Sequence, residues 1–392
     1  MGAPASSIPQ REPSSASDAC SPPGSEGGTR CRFTALVATT SATFSPATGE
    51  LRAGDGENGA SRDPIRCPRR ITRVDTISLA SRTQRRGPAL STDGRALGLR
   101  RRVIRTSAGN VVVRAGEATG DTATILLHGA AGSWTTWTPL LRAAARSGAP
   151  LPDVIAMDLP GWGETRPSAD TDIALLSGAV REIAKALGYR RWVVVGHSLG
   201  GFLALDLAAR TPRRTAAVLL ISPSGPAVIR AIRQVIRGGV ALPGFAGMLL
   251  TMRLLSAMGA FGAQLARALH RAGMLGVLSA PLFAAPDRVH PSVLDALAAE
   301  VRPRAFADAA RAAASYDETS WGGIDCPVRS LRGERDVFVA DTDADALARL
   351  IPDFAQATIP AAGHFAAVEQ PEAVLEVLRT LTRDASVTSR AR

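Results

Sequence analysis

Lysine is almost missing from this sequence: of 46 basic residues only Lys185 is lysine, and the rest are arginine. Both side chains hold phosphate, so the one-sidedness reads as GC-rich coding bias rather than selection for a ligand. The formal charge of +11 is unevenly spread. Residues 61–105 carry 13 Arg against three Asp, whereas from residue 106 onward 29 basic residues face 26 acidic ones. No nucleic-acid partner is expected of the body, although a basic tail could touch nucleic acid or an anionic membrane.

Cysteine is scarce too. Cys20, Cys31, Cys67 and Cys326 form no CxxC pair, which argues against a zinc site or a disulfide framework. No uncharged apolar run reaches the ~18 residues of a membrane span; the longest, 238–252, is broken by Pro243. The opening "MGAPASSIPQREPSS" lacks the apolar stretch of a secretory signal, so a cytoplasmic location is expected. No Gly-rich phosphate loop, dinucleotide fingerprint or metal-ligand spacing occurs, so neither cofactor nor metal is expected.

Residues 1–95 are rich in Ser, Pro, Gly, Ala and Arg and poor in clustered apolar residues. Such a segment cannot offset an ordering cost of ~1–2 kcal/mol per residue, and a disordered extension is expected there. Order is expected from residue 97 to about 385. It opens with a hairpin in "LRRRVIRTSAGNVVVRAG", turning at Gly-Asn. The runs "TATILLHG", "DVIAMDLPG", "RWVVVGHS", "AAVLLISPSG" and "PVRSLRGERD" then alternate with helical patterns. Continuous apolar runs ending in polar or Gly residues predict strands buried on both faces. The fold class is therefore α/β: a mostly parallel central sheet with helices on both faces. About 100 residues of helical periodicity interrupt the rhythm after the sixth strand. An insertion at about 226–322 is expected to lie over the carboxyl ends of the strands as a lid.

"VVVGHSLGG" places Ser198 between glycines, straight after a buried strand and before "GFLALDLAA". A strand, G-x-S-x-G and a helix make a nucleophile elbow. Gly196 and Gly200 let Ser198 take a strained conformation costing ~1–3 kcal/mol and project its hydroxyl above the sheet. A serine hydroxyl is a poor nucleophile at neutral pH and needs a base. Of five histidines, His197 must point away from the turn, and His128 ends a strand as a wall residue. His270 and His290 fall in the insertion. His364, in "IPAAGHFAAVEQPEAV" after the last strand, is the expected base. Asp336, closing "LRGERD", is the expected acid, to orient the imidazole without taking its proton. Glu334 lies two positions earlier, and Asp341, Asp343 and Asp345 belong to the next helical segment. Asp158, in the "DLPGWG" turn, reads as a turn-former.

Five stretches in this order, "LLHGAAGSW", "MDLPGWGET", "GHSLGG", "LRGERD" and "GHFAAVEQPE", resemble the α/β-hydrolase fold family across residues 97–385. The resemblance implies a serine hydrolase core with a helical cap at about 226–322. It also implies an oxyanion hole formed by the backbone N–H groups of Ala130 and Leu199, each donor worth ~2.7–4 kcal/mol in the transition state. Relatives with an Asp nucleophile, the haloalkane dehalogenases and epoxide hydrolases, are excluded by Ser198. "LLHGAAG" also lacks the HGGG pattern of one esterase branch.

The expected activity is cofactor-independent cleavage of a carboxylic ester by a Ser198–His364–Asp336 triad. A carbon–carbon bond hydrolase or perhydrolase with the same triad is the alternative, and a non-catalytic binding protein on this fold is the alternative of another class. The Met- and Phe-bearing insertion is read either as helices packing on one another or as an adaptable apolar pocket. With Trp134 and Trp137 in the oxyanion loop as substrate-binding candidates, an apolar acyl group is favoured.

Overall fold

The computed structural model describes residues 86–390. The chain opens with β1 (Arg100–Thr106), β2 (Gly109–Ala115) and β3 (Thr122–Leu127), then α1 (Thr138–Arg146) and β4 (Val154–Met157). Next come α2 (Ile173–Ala186), β5 (Arg191–His197), α3 (Leu199–Arg210) and β6 (Thr215–Ile221). The insertion follows as α4 (Pro226–Arg233), α5 (Val235–Ala241), α6 (Pro243–Ala257), α7 (Ala260–Arg271), α8 (Met274–Ser279), α9 (Pro291–Glu300) and α10 (Pro303–Ala314). The sheet resumes with β7 (Val328–Gly333), α11 (Thr342–Leu350), β8 (Phe354–Ile359), α12 (Ala366–Glu369) and α13 (Pro371–Arg390).

The eight strands lie in the order β1-β2-β4-β3-β5-β6-β7-β8. Only the β1–β2 and β2–β4 pairings are antiparallel; the rest are parallel, and the insertion leaves after the sixth strand. Alternation within the apolar runs builds two cores. Ile125, Leu127, Val194, Val218 and Leu220 face one layer with Phe202 and Leu203 of α3. Leu126, Val193, Val195, Leu219 and Ile221 face the other, with Leu140 of α1 and Leu375 and Leu378 of α13. A strand read as uniformly apolar thus supplies both layers.

Two local expectations shift. The hairpin turns at Ser107 and Ala108, not at Gly-Asn: Thr106 pairs with Gly109, which takes the left-handed position at φ 102°, and Asn110 is already a strand residue. A short turn followed by a left-handed glycine is the other common hairpin solution. Residues 1–85 of the expected extension lie outside the described residues, but 86–95 run along the body. Gly87 N–H donates to Arg288 O at 2.7 Å, Leu90 N–H to Ser292 Oγ at 2.9 Å and Ser91 N–H to Thr138 Oγ1 at 3.0 Å. The guanidinium of Arg142 donates to Ala89 O at 2.9 Å. Backbone hydrogen bonds, which composition does not report, hold this stretch.

Candidate active site

The site stands where β5 turns into α3. Ser198 has φ 50° and ψ −116°, a left-handed backbone on a residue that is not glycine. Such strain persists only where the surroundings over-determine it, and here the flanking glycines do. A Cβ on Gly196 would stand 2.3 Å from Gly200 O, and one on Gly200 would stand 2.1 Å from Leu127 O. The elbow is thus wedged between its own helix and the end of β3. Ser198 O accepts from Gly201 N–H at 2.9 Å and Ser224 N–H at 3.1 Å, which ties the start of the insertion to the same turn.

His364 follows β8 in a loop, and Asp336 follows β7. The imidazole Nδ1 lies 3.1 and 3.2 Å from the two carboxylate oxygens of Asp336. Phe338 N–H donates a further bond to that carboxylate at 2.8 Å. Burial would raise the pKa of Asp336, but the charge and hydrogen bond of His364 outweigh it and hold the pKa at about 2. The carboxylate is therefore ionised, fixing Nδ1 as the protonated nitrogen and leaving Nε2 with its lone pair. The sequence alternatives do not reach the imidazole: Glu334 accepts from Ala361 N–H, Asp341 pairs with Arg332, and Asp343 accepts from Ala227 N–H at 2.7 Å.

Two of the other histidines are buried and hold backbone groups. His197 Nε2 donates to His364 O at 3.0 Å, and burial followed by the charge of His364 pushes its pKa down to about 3. His128 accepts from Leu159 N–H through Nε2 at 2.9 Å, so its Nδ1–H donates to Gly129 O at 2.7 Å. It braces two loops rather than forming a wall of the cavity. Asp158 does shape its turn, accepting from Trp134 N–H at 2.9 Å and Glu164 N–H at 3.1 Å.

Ser198, His364, Ala130 and Leu199 all border one cavity of about 100 Å³. Neither the Ala130 nor the Leu199 amide donates to another protein group among the described residues. The walls come from the body through Trp162, Phe202 and Phe338, and from the insertion through Phe245, Met248 and Phe306. Both readings of the insertion thus hold, for different residues. Trp134 and Trp137 correct an expectation: neither borders the cavity. A 3-10 turn over Trp134–Trp137, with Ser133 Oγ accepting from Thr135 N–H, rotates both rings into the core beside Leu140 and Leu378. Arg114 lies 5.0 Å from the ring centre of Trp134.

Residues outside the motifs hold this geometry. Glu369 accepts from Gly363 N–H at 2.7 Å and Ala284 N–H at 2.8 Å, joining the His364 loop to the insertion. His364 N–H itself donates to Leu282 O at 2.8 Å. Arg302, the only Arg, Lys, Asp or Glu among the described residues lining the cavity, donates to Gly161 O and Gly163 O at 3.1 and 2.7 Å and pairs with Glu300 at 3.1 Å. Glu369 stood inside a quoted motif, yet only the fold reveals its partners. Among the described residues no cluster of His, Cys, Asp or Glu could hold a metal ion, and no helix is long and apolar enough to cross a membrane.

Residues 124–377 match the model of the alpha/beta hydrolase family. That is well over half of the chain, and the protein belongs to this family. Solved structures of similar fold include a thermophilic esterase from Thermogutta terrifontis, with TM-score 0.54 and 24% identity, covering 73% of this chain and 99% of that one. Carboxylesterase CesB from Bacillus subtilis gives TM-score 0.55 and 19% identity, covering 74% and 94%. Among curated proteins, the dihydrolipoyllysine-residue acetyltransferase component of the acetoin cleaving system of Cupriavidus necator is 37% identical over 118 residues. That match covers 29% of this chain and only 30% of the relative's own length.

Proposed function

We propose that this chain is a cofactor-independent serine hydrolase that cleaves carboxylic esters with an apolar acyl group. The observation that carries the reading is a buried, ionised Asp336 holding His364 at the rim of the cavity that also takes in Ser198 on its strained elbow. Ser198 Oγ attacks the acyl carbon while His364 Nε2 takes its proton. The tetrahedral oxyanion is held by the Ala130 and Leu199 amides, the latter at the amino end of α3 where the helix dipole adds to it. Collapse expels the alcohol, to which His364 returns the proton. Water, activated by the same imidazole, then releases the acid from Ser198. Asp336 stabilises the imidazolium throughout and stays ionised.

The insertion serves as the cap of this site and confers acyl preference. Its contribution to the walls is aliphatic or aromatic apart from Arg302, whose guanidinium is engaged by two carbonyls and Glu300, so a charged acyl group finds no free partner. The present volume of about 100 Å³ lies well below the ~300 Å³ lower bound of drug-sized pockets, which favours a short acyl chain. The test is hydrolysis of nitrophenyl esters from acetyl to long acyl chains by the protein and by Ser198→Ala. The expected result is a rate maximum at short chains and a loss of about a millionfold, or to background, in the variant. Activity surviving in Ser198→Ala removes the nucleophile assignment. Inactivity of the parent protein on every ester removes the ester reading.

A further inference from the structure

The helices α5 to α8 present apolar side chains to solvent. Of the eleven large apolar side chains exposed among the described residues, nine lie between positions 236 and 278. Ile236 and Val240 of α5 are 86% and 84% exposed, and Val277 of α8 is 76% exposed. Along α6 and its C-cap, the outward residues Gly247, Leu250, Leu254 and Met258 recur every three or four positions, so they form one stripe. Its opposite side, through Phe245, Met248 and Met252, lines the cavity. Arg253 is the only charged residue of α6. A helix apolar on all sides belongs inside something, yet one side of α6 stands open. Folded monomers rarely leave a surface of this kind without a partner.

Charge says what covers it. From residue 207 to 286 the sequence contains no Asp or Glu but nine Arg, six of which, Arg230, Arg233, Arg237, Arg253, Arg267 and Arg271, lie in the insertion. Arg237 sits beside Ile236 on α5. Arg267 and Arg271 follow Phe261 along the exposed side of α7. All three guanidinium groups are exposed, and none forms an ion pair with a carboxylate among the described residues. A second copy meeting this face by two-fold symmetry would set three arginines of each copy against those of the other, with Asp295, which lies 3.4 Å from His270 of α7, as the one carboxylate that the described ion pairs place against the face. An anionic bilayer meets both requirements together: acyl chains for the apolar stripe and phosphates for the arginines.

We propose that the face made by α5 to α8 docks on an anionic lipid surface. Leu250, Leu254, Ile236 and Phe261 enter the headgroup boundary, and Arg237, Arg267 and Arg271 rest on lipid phosphates. No helix of the described residues can cross a membrane, so the face lies along the surface. The α6 wall then separates the bilayer from the cavity by the thickness of one helix. The docking does not depend on the ester reading, since it uses none of Ser198, His364 or Asp336.

The experiment is co-sedimentation of the full chain with vesicles, either of phosphatidylcholine alone or with one-third phosphatidylglycerol. Two variants are run beside it: Arg237→Glu/Arg267→Glu/Arg271→Glu, and Leu250→Gln/Leu254→Gln, all at exposed positions. Circular dichroism and thermal melting establish that they fold. The expected result is binding to the anionic vesicles that weakens with salt. It falls at least about 100-fold on charge reversal and at least about tenfold in the leucine variant. Absence of binding overturns the proposal. So does binding that both variants retain in full, which would assign it to the Arg-rich stretch 61–105. A concentration-dependent dimer that the variants abolish, with no vesicle binding, would assign the face to a second copy and overturn it as well.

Discussion

At the carboxyl ends of β5, β7 and β8, the backbone is held where no other conformation fits. Gly196 and Gly200 leave no room for a methyl group, Ser198 stays left-handed, and His364 is fixed by Asp336 on one side and Leu282 O on the other. In the insertion the reverse holds. Helices α5 to α8 join through short turns, expose large apolar residues, and owe their place to apolar contact on one side only. The two regions share a cavity, and the contrast separates their tasks. The chemistry proposed above, which needs atoms placed within a fraction of an ångström, would use the crowded strand ends, whereas the looser helices supply walls and an outer surface. Strand-end substitutions should therefore act through geometry, and insertion substitutions through burial.

The hardest test of the crowded side is Gly200→Ala. Its methyl group would stand 2.1 Å from Leu127 O and 2.6 Å from His128 O, both backbone atoms that cannot rotate away. Helix propensity alone would favour alanine by up to ~1 kcal/mol, so the expected sign runs against the local preference. The variant should lose at least about 4 kcal/mol of stability, seen as failure to fold or a melting temperature lower by more than ~10 °C. A variant with unchanged melting would mean that the elbow is far less constrained than its contacts require.

Glu369→Gln probes the joint between the two regions. One carboxylate oxygen accepts from Gly363 N–H and the other from Ala284 N–H, and burial leads the upward shift of its pKa. An amide offers one acceptor and one donor, so one N–H would face an NH₂ group and be left unsatisfied, at a cost of ~1–3 kcal/mol. The expected outcome is a fall in kcat of about tenfold or more, with KM for a short ester nearly unchanged, because the His364 loop moves and the cavity walls do not. An equal fall in melting temperature with intact kcat would reduce Glu369 to a stabilising residue.

The sequence displayed the crowded side well and the loose side poorly, for physical reasons. Ser198 follows β5, whose run is legible because both faces of the strand are buried, and Asp336 follows the largely buried β7. Strand β8 is a half-buried edge strand, and His364 after it is legible because the other four histidines fall in positions unsuited to a base. The insertion gives no such pattern. In "PGFAGMLLTMRLLSA" every side is apolar, so periodicity cannot tell the cavity side from the outer one. Helix α10 lines the cavity partly through Ala309, Ala310 and Ala313, residues that carry no chemical signal. Trp134 and Trp137 misled for a related reason: a 3-10 turn can aim both rings into either core, and the sequence does not say which. Glu369 accepts backbone N–H groups, and such partners leave no trace in side-chain spacing.

The pH dependence of stability sharpens the comparison at a second joint. Asp343 of α11 is buried, and that burial raises its pKa from 3.8 to about 6 despite the bond from Ala227 N–H in the first turn of α4. Between these values the folded chain holds a proton that the unfolded chain releases. The contribution of this group to stability therefore falls as pH rises from about 4 to 6. Asp336 has the opposite sign: its pKa of about 2 gives stability that is present above its ordinary value of 3.8 and is lost as pH falls toward 2. Asp343→Asn keeps an acceptor for Ala227 and removes the charge. Its melting temperature should exceed that of the parent at pH 7.5 by an amount worth ~1–3 kcal/mol, and the difference should vanish near pH 4. A difference independent of pH would deny that the carboxylate titrates in the folded state.

The smallest expected effect, that of Leu254→Ala, is telling because it is set against the opposite side of the same helix. Phe245 and Leu249 on the inner side of α6 are 6% and 2% exposed, whereas Leu250 and Leu254 on the outer side are each 58% exposed. Leu249→Ala removes buried methyl groups and leaves a void, a change that costs ~2–5 kcal/mol in packed cores. Leu254→Ala differs by the same atoms but takes most of its surface from water, where substitutions stay within ~0.5 kcal/mol. Thermal unfolding of the two variants should separate them by more than 1 kcal/mol, with Leu254→Ala indistinguishable from the parent. Equal losses at both positions would mean that something already covers the outer stripe in the free protein, and the surface assigned to lipid would belong to the fold itself.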